Sequence, residues 1–152
     1  MWRFIKRDSM KATDLMIGDW VYCHHPSLPK EAIRVERGLI NNLDWQNQGH
    51  IKEGDTLYRE VEPIPLTPEI LVQNGFVEKE GYDSERRFEW VSEDERTEVK
   101  VWLYTADEVV TADVWKNVYY EDEVHYSLPQ PHYVHELQHA LKLCGIAKTI
   151  EV

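Results

Sequence analysis

Residues 98–104, EVKVWLY, alternate with a period of two: Val99, Val101 and Leu103 point one way, and Lys100, Trp102 and Tyr104 the other. A strand separates its side chains in this manner. One apolar and one mixed face suit an antiparallel sheet packed on a single side. The flanking segments extend the pattern. FVEKEG (76–81), RRFEWV (86–91) and DVWKNVYY (113–120) read as further strands, with GYDSE and SEDERT as polar turns, so a meander is expected.

Shorter strands precede the meander. IGDWVYC (17–23) alternates after a Gly-Asp turn, and EAIRVERGLI (31–40) reads as a strand with a bulge at Gly38. NNLDWQNQGHIKEGDT reads as a loop, and LYREVEPIPL (57–66) as a third strand ending at its prolines. Two helices complete the pattern. In LTPEILVQNGF (66–76), Thr67 is placed to cap, Pro68 takes the first helical position and Asn74-Gly75 ends the helix. In QPHYVHELQHALKLCG (130–145), Pro129 and Pro131 mark the approach and Gly145 the stop. Tyr133, Val134, Leu137, Ala140, Leu141 and Cys144 line one apolar face.

The expected fold is therefore α+β and mainly antiparallel β. It has an SH3-like or small-barrel N-terminal part, a short central helix, and a C-terminal amphipathic helix packed on a sheet. Residues 1–9 read as an N-terminal extension ahead of Met10. Residues 10–66 form a small strand-rich subdomain, and 67–152 the antiparallel sheet with the last helix, the two able to make one compact domain. The 42% hydrophobic content, with six Trp and eight Tyr, suffices for a core. No apolar run approaches the roughly 20 residues of a membrane helix, and no signal-peptide pattern is expected. Cys23 and Cys144 stand far apart, as reduced thiols of a cytoplasmic protein would.

Charge is unevenly spread. Residues 76–123 hold 6 basic and 15 acidic side chains, a net of −9 out of −11 for the chain. Such a segment repels phosphate backbones, which tells against direct nucleic-acid binding. It serves either as a solvated face or as a surface for a basic protein partner.

HELQH (135–139) matches the zinc-hydrolase pattern H-E-x-x-H. On a helix, His135 and His139 lie one turn apart, where both can reach one zinc ion. Glu136 would be the general base for a metal-bound water. Helical spacing also sets both histidines opposite the apolar face, as on a plain solvated helix surface. Catalytic zinc takes three protein ligands. After His139 the only carboxylate or imidazole is Glu151, and Cys144 points to the core side, so a third ligand must come from upstream, from His125 or His132. His132, His135 and His139 could also hold zinc or nickel without catalysis. Cys23 and His24 are strand neighbours facing opposite ways, a poor nucleophilic pair. His24 and His25 read as exposed loop residues. Trp90, Trp102, Trp115, Tyr104, Tyr119 and Tyr120 could stack bases or sugars, but core and cross-strand packing is the expected use.

MKATDLMIGDWVY (10–22), VEPIPLTPEILVQNGF (61–76) and YVHELQHALKLCG (133–145) together resemble a group of small uncharacterised Bacteroidales proteins found in prophages and mobile elements. The resemblance covers the chain in outline from Met10 onward. In that group the position matching His139 is usually Asn and that matching Glu136 often Gln or another residue, which implies that HELQH is incidental here. The resemblance also implies a natural start at Met10 and no assigned peptidase activity. The expectation is a non-enzymatic accessory or interaction protein that uses an acidic surface and needs no cofactor. The alternative is a zinc-dependent hydrolase with Glu136 as base and His135, His139 and His132 as candidate ligands.

Overall fold

A computed structural model describes residues 10–80, 85–106, 109–118, 126–127 and 132–152, with the backbone alone for those between 105 and 127. The chain divides into two compact units, Met1–Ile64 and Pro65–Val152. The class is α+β, with one antiparallel sheet in each unit. Among the described residues, no helix is long and apolar enough to cross a membrane.

The first unit holds strands β1 (Trp20–His24), β2 (Glu31–Arg34) and β3 (Glu60–Pro63), in the order β2-β1-β3. Val21 and Val61 face inward with Met10, Leu15, Val35 and Leu43, and Cys23 and Ile33 pack against this cluster. Among the described residues the sheet has three strands and two open edges, so the small-barrel form expected for this part is an open sheet.

Helix α1 (Arg37–Asn47) corrects the expectation of a strand through Ile40 followed by a loop. Gly38 lies in its first turn, where backbone N–H groups need no intrahelical partner. Leu39, Ile40 and Leu43 then meet the core at helical spacing. The Asn and Gln residues that look loop-like hold neighbouring backbone instead. Asn42 Nδ2 donates to Leu57 O (3.0 Å), and Asn47 Oδ1 accepts from Ala12 N (3.0 Å). Gln46 donates to Arg59 O (2.8 Å) and accepts from Arg59 N (2.9 Å).

The second unit opens with helix α2 (Pro68–Gln73). Thr67 caps it by accepting from Ile70 N at 3.3 Å, Glu69 lies in its first turn, and Gly75 leaves it at φ +83. The meander follows as β4 (Val77–Lys79), β5 (Glu85–Val91), β6 (Thr97–Ala106), β7 (Val109–Val118) and β8 (Tyr126–Ser127), neighbours in that order. Phe88 pairs with Val101, Trp90 with Val99 and Arg86 with Leu103. Directly opposed residues share a face, which puts Phe88, Val99, Val101 and Leu103, all buried, on one side. Helix α3 (Val134–Leu143) contributes Val134, Leu137, Ala140 and Leu141 to the buried set and ends at Gly145, φ +65.

Candidate functional site

Three places bear on function: the histidine helix, the acidic turn of the larger sheet, and the polar face of the smaller one. In α3, His135 and His139 stand one turn apart with ring centroids separated by 5.6 Å, edge to face. The expectation that both face away from the core fails for His135, which is buried at 8% exposure. Leu66 N donates to His132 O (3.2 Å) and Pro65 bridges Tyr133, so the segment before the helix is tied down. Tyr133 then lies over His135, with ring planes 14° apart and centroids at 5.9 Å. His132 tilts against the same Tyr133 ring, with centroids 6.4 Å apart. His132, His135, Glu136 and His139 do not converge as a trio of ligand atoms within 4.8 Å among the described residues. His125, Pro129 and Pro131 lie outside the described residues.

The aromatic residues divide between faces. Trp90 shares the packed side with Val99, whereas Trp102 and Tyr104 share the other with Arg87 and Glu85; Tyr119 and Tyr120 lie outside the described residues. On that second face, Arg87 pairs with Glu89 and lies over Trp102. Lys100 reaches Glu98 (3.8 Å) and Glu89 (4.0 Å). The middle of the sheet thus neutralises its own carboxylates. Its β5–β6 turn does not: Glu93, Asp94 and Glu95 are all exposed, and Glu93 and Glu95 have no ion-pair partner among the described residues.

The turn is ordered by Glu95 N donating to Ser92 O (2.9 Å), Ser92 N to Thr97 O (2.8 Å) and Thr97 N to Ser92 Oγ (3.0 Å). Asp94 accepts from the Ser92 hydroxyl and from Arg96 N, which hold its carboxyl below the usual aspartate value. Glu95 has φ +58, the one positive-φ non-glycine residue among those described.

In the small sheet, Cys23 and His24 project to opposite faces, and burial pushes the Cys23 thiol up, against a nucleophilic role. His24 is the residue the sequence misplaces. It closes β1 and is 10% exposed, with Nε2 lying 3.4 Å from Glu60 Oε2. β1–β3 register brings His24, Glu60 and Glu62 together, with one ligand atom from each within 4.8 Å of the others. The available signal was alternation: Glu60 and Glu62 fall on one side of a strand, as do Tyr22 and His24.

Comparison with known protein families, curated proteins and solved structures finds no match, so the functional reading rests on these residues.

Proposed function

We propose that this chain is a non-enzymatic accessory or interaction protein of a phage or mobile element, acting in the cytoplasm. It meets a basic protein partner through an acidic surface centred on the β5–β6 turn. Glu95 carries the reading. An L-residue in the left-handed region costs roughly 1–2 kcal/mol that glycine avoids, and Glu95 stands there at φ +58 with its side chain exposed. Packing does not ask for glutamate at that point, and charge is what glycine could not supply. The surrounding segment, net −9 over residues 76–123 with 6 basic and 15 acidic side chains, steers a basic partner toward the turn. The reading requires neither cofactor nor nucleic acid.

The test is capture of partners from host lysate with the wild-type chain and with Glu93→Lys, Asp94→Lys, Glu95→Lys combined, followed by calorimetry on the purified partner. The expected partner is basic, and its affinity falls on raising salt from about 0.05 to 0.5 M and on charge reversal. Affinity insensitive to both refutes the reading.

A further inference from the structure

We propose that His24, Glu60 and Glu62 form a binding site for a first-row divalent cation, zinc or manganese, on the polar face of the N-terminal sheet. Strands β1 and β3 pair so that His24 opposes Glu60 and Tyr22 opposes Glu62. Opposed residues share a face, and so do alternate ones. The three side chains are therefore gathered by strand register, which holds them more firmly than a loop would.

His24 is prepared as a ligand. Its Nδ1 lies 3.1 Å from His25 O and 3.0 Å from Leu28 O. Carbonyl oxygens only accept, so Nδ1 bears the proton, and in the neutral ring Nε2 carries the lone pair. Nε2 is buried, makes no hydrogen bond, and points toward Glu60 Oε2 at 3.4 Å. A backbone carbonyl on one ring nitrogen, with the other turned to carboxylates, is the outer-sphere arrangement that orients metal-bound histidines.

Distance and charge agree with a small dication. Bonds of about 2.0–2.2 Å in a tetrahedral site place ligand atoms roughly 3.3–3.6 Å apart, and the His24–Glu60 separation already lies in that range. Glu62 is presently held by Lys30, whose ammonium supplies positive charge at the same place. Lys30 is 53% exposed and precedes β2, so it can withdraw to solvent as Glu62 turns inward. One neutral imidazole and two carboxylates balance a 2+ ion. Mixed nitrogen and oxygen donors favour zinc or manganese over soft copper(I) or calcium. The three protein ligands leave a further position for water.

Lys30 is then a competitor of the ion, which gives variants that move affinity in opposite directions. Zinc and manganese are titrated by calorimetry into the untagged full chain, with far-UV circular dichroism of each variant. One equivalent of ion is expected. Affinity should fall more than about 100-fold in Glu62→Gln and His24→Ala, beyond the 10–100-fold of an outer-sphere change. It should rise roughly two- to fivefold in Lys30→Ala, the worth of an exposed ion pair. Glu62 is partly exposed, so Glu62→Gln decides the matter even where His24→Ala misfolds. No binding of either ion overturns the proposal, as does affinity unchanged in Glu62→Gln. Binding that survives Glu62→Gln but is lost in His139→Ala places the ion on α3 and also overturns it.

Discussion

Replacing Glu95 by glycine should stabilise the second unit while weakening partner binding. At φ +58 the glutamate costs roughly 1–2 kcal/mol, which glycine removes. Glycine returns about 0.4–1 kcal/mol of that through the greater freedom of its unfolded chain. The net gain is about 0.5–1 kcal/mol, or roughly 2–8 °C in Tm for a unit of this size. Nothing offsets it in contacts: the side chain is exposed, and the Glu95 N–H to Ser92 O bond of 2.9 Å is a backbone bond that glycine keeps.

Urea unfolding followed by far-UV circular dichroism measures the change. Two companions separate its causes. Glu95→Asn, which tolerates the left-handed region, should recover part of the gain. Glu95→Gln keeps the backbone cost and removes the charge, so it should leave stability unchanged and still weaken the partner. A glycine variant no more stable than wild type refutes the reasoning. So does a glutamine variant as stable as the glycine one, because repulsion from Glu93 and Asp94 would then be the cost.

Two further predictions concern the same unit. Asn74 is buried, donates through Nδ2 to Ile70 O (2.7 Å) and Glu151 O (2.8 Å), and accepts from Glu151 N (2.8 Å). Asn74→Ala should cost about 2–4 kcal/mol in urea unfolding and speed hydrogen exchange at the Glu151 amide, and Asn74→Asp, which lacks the donors, should not rescue it. Arg86 hydrogen-bonds Glu78 and holds its carboxyl below the ordinary 4.5. A depressed carboxylate stabilises above its unfolded-state pKa and loses that contribution as pH falls through the folded value. Denaturation midpoints of wild type and Glu78→Gln should therefore differ near neutral pH and converge in acid; a constant gap would exclude the pair as the source.

Most of the larger unit was legible because its information is local. EVKVWLY announces β6 by period alone, and Val99, Val101 and Leu103 are the buried side. Thr67, Pro68 and Gly75 announce α2 by chemistry that acts within a turn. Helix α1 was hidden because Gly38, Asn41, Asn42, Asp44 and Asn47 have low helix propensity and suit turns. Its stability is tertiary, from Leu43 in the core and from Gln46 bonded twice to the Arg59 backbone. The acidity of residues 76–123 was legible as a sum. Its placement was not, because the pairing that sets Lys100 opposite Glu89 joins the same-strand pairs Arg87–Glu89 and Lys100–Glu98 into one neutralised patch only once the strands are in register.

The two histidine-bearing features show why a matching motif and a prepared ligand can diverge. Helical spacing in HELQH fixes where His135 and His139 stand relative to each other, but not which side of the helix is covered. That is decided by the preceding segment, where the Leu66–His132 bond and the Pro65–Tyr133 bridge bring Tyr133 against His135. A metal also needs a nitrogen with its lone pair free, a ring held in place, and counter-charge nearby. At His24 the carbonyls of His25 and Leu28 fix the tautomer, the strand end fixes the ring, and β3 supplies both carboxylates. Glu60 lies far from His24 in sequence and directly opposite it in the sheet. The sequence motif is compact, whereas the preparation for a cation is spread across a strand pairing.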